Sequence, residues 1–432
     1  MTPPLLFAME AAVLLVVTAL VCWKCRTVLN PVALAACYYL VQTVVAPYIW
    51  WRLKYARFPS DALGQTVFLS TLYFVAVGMA YLLPLSPLRR PLSGLVSISW
   101  PFTFSDPDDV CTPAIVLLAL QFVATYCALM VFSHVGTMWL FDPRQAYGFH
   151  RTGVGVWWAL SAANLMLLFV VVLFRWGRNF RSVLLFAGLF VLLGYFLGSK
   201  SGTIVFLLMG AFYAHYCLRK INAWAVAILG VLSFASALLL MVLQKTAENT
   251  VDLIRYFDYF QNSVLFVSRS RYYPLQYGYI SLTNLWNFVP RALYPAKPFL
   301  YGRDLLLTWV HLGAARQGYT PQMLPWCVGY ADFGVLGVIA AGLVDGWISK
   351  AVYEYFLLRR NVVSLVWLWQ MGFLGFFTLL VLFPAAPLPL FWIWCMAQGA
   401  IFWVIGSLRF GRRDTPFAAS NGEAAASSSR LS

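Results

Sequence analysis

Trp326–Ile348, WCVGYADFGVLGVIAAGLVDGWI, is the stretch that decides the fold of this chain. It is apolar almost throughout, and it has the roughly 20 residues that a helix needs to cross a bilayer. Asp332 lies near its first end and Asp345 near its second. Ionisable residues within membrane helices are costly and usually functional. Asp345 is close to Lys350 and is interpreted as structural, whereas Asp332 is a candidate either for an ion pair or for catalysis.

Similar apolar runs fill most of the chain on both sides of this stretch. Of the 432 residues, 62% are hydrophobic and 10% are charged, whereas a soluble domain typically has about 25% charged residues. We therefore predict an all-α polytopic membrane protein with about 11 transmembrane helices and one long extracytoplasmic loop containing short helices. The predicted membrane helices are Leu5–Trp23, Pro31–Trp51, Ala62–Leu83, Pro113–Ser133, Val154–Phe174, Ser182–Gly198, Thr203–Cys217, Asn222–Leu243, Trp326–Ile348, Val363–Phe383 and Leu388–Ser407.

Basic clusters occupy every second connection between these runs, and the positive-inside rule places such clusters in the cytoplasm. The N-terminus is then outside and the C-terminus inside. The predicted organisation is residues 1–243 for the first eight helices, 244–325 for a long periplasmic loop, 326–407 for the last three helices and 408–432 for a cytoplasmic disordered tail. The clusters are Lys24/Arg26, Arg89/Arg90, Arg175/Arg178/Arg181, Arg219/Lys220, Lys350/Arg359/Arg360 and Arg409/Arg412/Arg413.

The long loop Gln244–Pro325 carries many cations, which the positive-inside rule does not expect on the outer side. Within it, FVPRALYPAKPFLYGR at Phe288–Arg303 presents Arg291, Lys297 and Arg303 at equal intervals. The prolines between them fix φ and stiffen the backbone. A rigid cationic loop suits a phosphate head group. The other interpretation is a basic loop that only touches lipid.

Aromatic residues are frequent in the same loop. The segment Leu253–Val267 has the spacing of a helix that lies on the membrane interface. The aromatic residues after it form either a belt at the bilayer edge or faces for stacking on sugar rings. Arg269 and Arg271 come just before them and are further candidates for binding the diphosphate or the glycan. The aromatic residues are Tyr272, Tyr273, Tyr277, Tyr279, Trp286, Tyr294, Tyr301, Trp309 and Tyr319.

Lys200 lies in Gly198–Gly202, GSKSG, between two short apolar runs. A lysine in this position either snorkels to the interface or lies in a wet cavity, since charges within the membrane are costly. We predict that Lys200 faces the long loop near Arg291 and contributes to substrate binding.

Neither a metal nor another cofactor is predicted. Cys22 and Cys25 form a C-x-x-C, but no second Cys/His pair accompanies them, and no Asp-x-Asp or His cluster indicates a divalent ion. The net charge of +15 is explained by membrane topology and by attraction to anionic lipid, so a nucleic-acid partner is not predicted.

Three of these motifs resemble those of the bacterial Wzy-type oligosaccharide repeat-unit polymerases. They are GSKSG followed by an apolar helix, PR-x3-P-x-KP at Pro290–Pro298, and DFG-x2-G at Asp332–Gly337. The GSKSG element departs from family members that have Arg at the Lys200 position. The many-helix layout is similar over nearly the whole chain.

The resemblance implies a glycosyltransferase of the bacterial inner membrane, in the GT-C-related superfamily that includes the O-antigen ligases. Its substrates would be undecaprenyl-diphosphate-linked oligosaccharides, which it would polymerise into O-antigen or exopolysaccharide at an active site facing the periplasm. A chain-length regulator and a flippase are the protein partners to expect, together with the lipid bilayer.

The predicted chemistry is independent of metal ions. Arg and Lys side chains would stabilise the diphosphate leaving group, and a carboxylate or His would take the proton of the acceptor hydroxyl. Asp332 is favoured for its fixed position on a helix, and His311 is suggested by the loop His of the related ligases. Asp304, Glu248 and Asp258 are further candidates.

Three other functions stay open. An O-antigen ligase would use the same donor and the same cations. A transporter for lipid-linked sugars would be expected to show inverted repeats and broken helices, and no internal repeat is apparent in the sequence. A non-enzymatic assembly partner is disfavoured only weakly by the loop cations.

Overall fold

The computed structural model describes residues 2–54, 58–83, 112–150, 154–198, 200–222, 224–225, 228, 230, 258–283, 285–286, 289, 294–298, 300–311, 323–368, 394, 397–398 and 401, without the side chains of 148–150, 200–204, 303–304, 363 and 367. These residues contain helices and no strand. Six of the helices are long and apolar enough to cross a membrane. The chain is therefore an all-α polytopic membrane protein, and the count of about eleven helices stays a prediction.

The helices follow the apolar runs closely. In chain order they are α1 (Pro3–Cys25), α2 (Pro31–Arg52), α3 (Ser60–Leu82), α4 (Thr112–Phe132), α5 (Met138–Phe141), α6 (Pro143–His150), α7 (Gly155–Trp176), α8 (Phe180–Tyr195), α9 (Lys200–Tyr213), α10 (Tyr259–Ser270), α11 (Tyr279–Thr283), α12 (Arg303–Val310), α13 (Cys327–Arg359) and α14 (Val362–Trp367). The six candidate spans are α1, α2, α3, α4, α7 and α13.

The shorter elements modify the predicted layout. Helix α9 continues as a π-helical turn over Ala214–Leu218, and α2 contains another at Val41–Val45. Most of the predicted helices Asn222–Leu243, Val363–Phe383 and Leu388–Ser407 lies outside the described residues, as does the tail 408–432. The described part of the predicted helix Leu253–Val267 belongs to α10, which ends at Ser270, and its position on the membrane interface stays a prediction.

Helices α3 and α13 approach each other closely because glycines face α3. A Cβ added at Gly342 would lie 2.4 Å from the carbonyl oxygen of Tyr73, and one at Gly346 would lie 2.6 Å from that of Val77. Small residues let helix backbones come together in a membrane, where lipid supplies no hydrophobic driving force between helices. This pair forms the centre of the bundle.

Two lysines fix the end of α3. Lys350 Nζ donates to the carbonyl oxygen of Tyr81 at 3.0 Å, and Lys24 Nζ donates to that of Leu82. The last carbonyls of a helix have no intrahelical partner and carry partial negative charge, so they suit cations. Asp345 accepts a hydrogen bond from the hydroxyl of Tyr73, which agrees with its structural interpretation, although Lys350 binds carbonyls instead.

A second group of helices, α4 and α7 to α9, packs beside the first. The Tyr126 hydroxyl of α4 donates to the carbonyl oxygens of Trp139 at 3.0 Å and Phe196 at 3.1 Å. The two groups meet where the hydroxyls of Tyr216 and Tyr353 lie 2.6 Å apart. Polar contacts of this kind join helices across a membrane interior.

Helix α13 is not one straight helix. Phe333 and Gly334 have non-helical backbone angles, with φ 64° and ψ −144° at Gly334. A Cβ added at Gly337 would lie 1.9 Å from the carbonyl oxygen of Gly329. In a straight helix these two residues would be about 12 Å apart along the axis. The chain therefore turns sharply at Phe333–Gly334.

The contacts with α3 show that this turn reverses the chain direction. Before the turn, later residues of α13 contact earlier residues of α3, and after it the order is opposite. Before the turn, Trp326 Nε1 donates to Ser70 Oγ at 3.1 Å and Gln65 Nε2 donates to Tyr330 OH at 2.6 Å. After the turn, Tyr73 OH donates to Asp345, and Tyr81 OH lies 2.8 Å from Ser349 Oγ.

We call residues 327–332 the ascending arm and residues 335–359 the descending arm. The descending arm alone exceeds the roughly 20 residues that a spanning helix needs. The predicted helix Trp326–Ile348 therefore combines a short arm within the bundle with the first part of the true span. Apolarity alone does not reveal a change of direction, because the apolar run continues through the turn. The end of the bundle that carries Ser60 and the reversal is called the loop end.

Candidate functional site

Asp332 holds the reversal to the long loop. Its side chain is 0% exposed. One carboxylate oxygen accepts from the backbone N–H of Ile280 at 3.0 Å, and the other accepts from the N–H of Ser281 at 2.9 Å and its hydroxyl at 2.6 Å. Such charge-assisted bonds are stronger than neutral ones. Asp332 thus anchors the start of α11 to the end of the ascending arm.

The backbone strengthens this anchor. Gln276 N–H donates to the carbonyl oxygen of Ala331 at 3.0 Å, and Tyr277 N–H donates to that of Asp332 at 2.9 Å. These carbonyls are accessible because the reversal stops the helix before it uses them. The segment before α11 is therefore fixed relative to α13 by both backbone and side-chain bonds.

A cavity of about 320 Å³ opens beside the reversal at the loop end. Its wall combines the starts of α3 and of the reversal with the ends of α10 and α12. Sites for small molecules are typically concave, mostly apolar and fitted with a few polar groups. The lining residues are Pro59, Asp61, Ala62, Gln65, Val267, Ser268, Ser270, Arg271, Tyr273, Pro274, Leu275, Trp309, Tyr330, Ala331 and Gly334.

Two stacked rings form one side of the cavity. The centroids of Tyr273 and Trp309 are 4.2 Å apart and their planes differ by 7°. Phe266 stacks behind Trp309 at 5.9 Å. The aromatic residues of the loop were open to two interpretations, a lipid belt or sugar stacking. These two rings line a cavity, and both interpretations stay predictions.

Charged groups of both signs face the same cavity. Arg271 lines it, with its guanidinium 5.1 Å from the ring centroid of Tyr272. Asp61, in the first turn of α3, lines it from the other side. Gln65 lies one turn further along α3, and its amide donates to Tyr330. A cation and a carboxylate therefore line one cavity.

Arg269 and His311 support the cavity wall. Arg269 Nη1 donates to the carbonyl oxygens of Trp309 at 3.1 Å and Val310 at 2.7 Å, so its charge is directed to the end of α12. His311 Nε2 lies 3.2 Å from Asn262 Oδ1 of α10. Both residues join α10 to α12, and neither lines the cavity.

Lys297 lies apart from this group. Its Nζ donates to the carbonyl oxygen of Val289 at 3.0 Å and is 5.1 Å from the ring centroid of Tyr301. The loop following it reaches α11 through Gly302 N–H, which donates to Thr283 Oγ1 at 2.7 Å. Lys297 is therefore bound within the loop and is not part of the cavity wall.

The remaining predicted residues lie outside the description. Arg291 is not described, and neither are the side chains of Lys200 and Arg303, although the backbones of the last two begin α9 and α12. The predicted proximity of Lys200 to Arg291 therefore stays a prediction. Of the named candidates, the structure brings Arg269, Arg271, His311 and Asp332 to one region.

Sequence reasoning missed Asp61, Gln65 and Tyr330 as members of the site. Asp61 follows Pro59 and Ser60 at the start of an apolar run, a position that is also typical of an ordinary helix start. Only the tertiary contact between α3 and the ascending arm shows that it faces the loop cations. Within the described part of the chain, no group of three or more His, Cys, Asp and Glu side chains is arranged to hold a metal ion.

Comparison with known proteins does not add to this description. No family model, no curated protein and no solved structure gives a significant match to the chain.

Proposed function

We propose that this protein is a membrane glycosyltransferase that polymerises undecaprenyl-diphosphate-linked oligosaccharide repeat units into a surface polysaccharide, O-antigen or exopolysaccharide. We place the reaction on the periplasmic side of the bacterial inner membrane. One observation carries the proposal: stacked aromatic rings, an arginine and a carboxylate line one cavity at the loop end of a membrane bundle. The resemblance of the three motifs to the Wzy-type polymerases supports it.

The cavity suits the two ends of such a donor. A sugar presents an apolar face and a polar rim, and the Tyr273–Trp309 pair offers a flat surface for the apolar face. A planar guanidinium can hold two phosphate oxygens at once, and Arg271 is the arginine in the cavity wall. In our proposal Arg271 and Arg291 bind the diphosphate, with Lys297, Arg303 and Lys200 contributing positive charge from the loop and from α9.

The reaction moves charge to the leaving diphosphate. The bond between the anomeric carbon and the phosphate oxygen breaks, and the acceptor hydroxyl forms a new bond to that carbon while losing its proton. Positive groups at the leaving oxygen stabilise the transition state more than the bound donor, which accelerates the reaction. The arginines supply this charge in the proposal, so no metal is required.

A general base must take the proton of the hydroxyl. Asp332 and His311 are the predicted bases. Asp332 directs both oxygens to α11 and is fully buried, an arrangement that favours positioning over proton transfer. Asp61 is the carboxylate that lines the cavity, and we add it as a third candidate.

A transporter of lipid-linked oligosaccharides is a second candidate, because helix α13 is broken at Phe333–Gly334. Broken helices of this kind occur at the binding sites of transporters. An O-antigen ligase would use the same donor site and differs only in its acceptor.

The test is an assay with purified protein and defined lipid-linked repeat units. A polymerase gives a ladder of polymer on a gel without another acceptor. A ligase gives product only with lipid A core, and a transporter gives none in detergent but moves the donor across vesicles. Absence of polymer under all these conditions would contradict the proposal.

The arginine variants test the donor site in the same assay. Arg271→Ala and Arg291→Ala should each lower turnover by about 10²–10³-fold, since each removes one charged contact from a preorganised site. Lysine at either position should restore activity poorly, because it lacks the planar fork. Lys54→Ala, which changes a cation exposed beyond the end of α2, is the matched control and should polymerise normally.

A further inference from the structure

Glu10 is a carboxyl buried inside the bundle. It lies on α1, about 10 Å along the helix from Pro3, and its side chain is 1% exposed. Neither of its oxygens has a hydrogen-bond partner among the described residues. Burying an isolated carboxylate is very unfavourable, so such a group either stays protonated or pairs with a positive charge. The proposed glycosyl transfer gives Glu10 no role.

Three polar residues of α2 share this environment. Tyr39, Gln42 and Thr43 are 0%, 1% and 0% exposed, and their side-chain polar atoms also lack partners in the part of the chain that the structure describes. The Thr43 hydroxyl lies beside the Glu10 carboxyl but makes no hydrogen bond of normal geometry with it, and Tyr39 also faces Glu10. Roughly 90% or more of buried polar groups are hydrogen-bonded, so an unpartnered carboxyl beside an unpartnered hydroxyl, with Gln42 next to Thr43 in the chain, suggests a ligand.

The backbone of α2 is distorted at the same place. Gln42 and Thr43 lie in the π-helical turn Val41–Val45, in the middle of α2. Turns of this type are rare inside α-helices and are frequent at functional sites, because they displace carbonyls from the regular ladder. Pro47 follows closely, and because it has no N–H it cannot bond the carbonyl oxygen of Thr43 four residues earlier, so this proline accounts for the distortion.

We propose that Glu10, Tyr39, Gln42 and Thr43 form an intramembrane site for a monovalent cation, and that the cation is Na⁺. Carboxylate, hydroxyl and amide oxygens are the hard ligands that alkali and alkaline-earth ions prefer. A single carboxylate neutralises a single positive charge. A divalent ion would leave an uncompensated charge within the membrane, which is costly.

The site lies beneath the candidate functional site. One turn above Glu10, the ring of Phe7 packs against Phe260 of α10, with centroids 5.9 Å apart. Next to Tyr39, Ser70 accepts from the indole of Trp326, where the ascending arm begins. A bound cation therefore joins α1 and α2 at the base of the arm whose other end carries Asp332.

The experiment measures unfolding and ion binding of the purified full chain. Thermal unfolding is followed in NaCl and in choline chloride at equal ionic strength. Because a ligand that binds only the folded state stabilises it by mass action, the midpoint should rise with Na⁺ concentration and saturate. Equilibrium binding of radioactive sodium should show a single ion for each chain.

Variants separate this site from a general salt effect. Glu10→Gln keeps the shape and removes the charge, so sodium should no longer raise the midpoint. Asp345→Asn is the matched control: Asp345 is also a fully buried carboxyl of the bundle, but one of its oxygens accepts from Tyr73 while the other has no partner, and the sodium response should remain. Thr43→Val replaces only a hydroxyl and should weaken sodium affinity by roughly tenfold. If Glu10→Gln does not fold, the sodium affinity of Thr43→Val tests the site instead.

Several results would overturn the site. They are equal midpoints in the two salts, no bound sodium, or an unchanged sodium response in Glu10→Gln or in Thr43→Val. A midpoint that follows pH without depending on sodium would assign a proton to Glu10 instead of Na⁺. None of these results bears on polymer formation, so this inference and the proposed glycosyl transfer can fail separately.

Discussion

At the scale of single residues, Asp332 shows how a side chain in a functional motif can have a structural task. Its two oxygens accept three hydrogen bonds from Ile280 and Ser281. Removing one partner from a buried bond leaves the other unsatisfied, at a cost of about 1–3 kcal/mol. We therefore expect Asp332 to position the loop, whereas its predicted role as base requires a carboxylate with a lone pair available to substrate.

Asp332→Asn separates these two roles. The amide group would face the donors of α11, so their hydrogen bonds should weaken and amide exchange at Ile280 and Ser281 should accelerate by roughly tenfold or more. A positioning role predicts weaker donor binding together with slower turnover. A base at this position predicts slower turnover with unchanged donor binding and unchanged exchange.

Asp61→Asn is the control for this measurement. Asp61 lines the cavity but makes no contact with α11 among the contacts described above, so amide exchange at Ile280 and Ser281 should not change. If Asp61 is the base, turnover should fall while donor binding stays. Normal turnover in Asp61→Asn would leave His311 and Asp332 as the bases to test.

Trp309→Ala tests the stacking surface. The indole packs flat against Tyr273, and aromatic contacts of this kind contribute about 0.5–1.5 kcal/mol beyond the burial of area. Glycan binding should weaken by about 2–10-fold or more, measured by titration with the soluble repeat-unit oligosaccharide. The backbone bond from Arg269 to residue 309 does not depend on the side chain.

Trp23→Ala, at a tryptophan that is 79% exposed, should bind the glycan normally, and an unchanged affinity in Trp309→Ala would contradict the stacking role.

At the scale of elements, the close packing of α3 on α13 decides where the cavity lies. The descending arm is held by glycines against α3, and the ascending arm is held by the bonds of Ser70 and Gln65. Because one helix binds both arms, the reversal is fixed beside the start of α3. This arrangement brings Asp61 to the cavity that Arg271 also lines.

Gly342→Ala tests this packing. The added Cβ would lie 2.4 Å from a backbone oxygen of α3 and 2.7 Å from Ala76 Cβ, so the helices must separate. Overpacking of this type costs about 1–3 kcal/mol, and the midpoint of thermal unfolding should fall. Gly188→Ala, at a helical glycine with no atom within 4 Å of its Cβ position, should leave the midpoint unchanged or raise it. Equal midpoints in the two variants would contradict the packing.

At the scale of the whole molecule, the side of the membrane on which the cavity opens determines which donors reach it. The alternation of basic clusters predicts that Gln244–Pro325 is extracytoplasmic and that the C-terminus is cytoplasmic. The cavity is formed largely by that loop and by the start of α3. Both should therefore face the compartment into which lipid-linked oligosaccharides are delivered.

Reporter fusions check this orientation. Alkaline phosphatase, which is active only outside the cytoplasm, should be active when inserted in the loop and inactive when fused at Thr415. A cytoplasmic reporter should give the opposite pattern. Phosphatase activity at Thr415 without activity in the loop would reverse the topology, and the proposed periplasmic reaction would then be wrong.

The sequence by itself determined the membrane class and most helix positions. A helix that crosses lipid must satisfy its backbone internally and be apolar along its length, and this requirement is local. For the same reason the runs Leu5–Trp23 and Val154–Phe174 agree closely with α1 and α7. The cationic character of the loop was also local, and it pointed to Arg271 before any contact was known.

Only the tertiary structure decided how these elements meet. The reversal at Phe333–Gly334 depends on contacts with α3 and α11 that are distant in sequence, and the apolar run continues through it. Asp61 belongs to the site because it lines the same cavity as Arg271. Asp332 anchors the loop because it accepts hydrogen bonds from Ile280 and Ser281. Glu10 stands in an ordinary apolar run, and only its burial beside Thr43 and Tyr39 marks it as a cation ligand. Hydrogen bonding and charge compensation act between neighbours in space, and a linear pattern does not contain those neighbours.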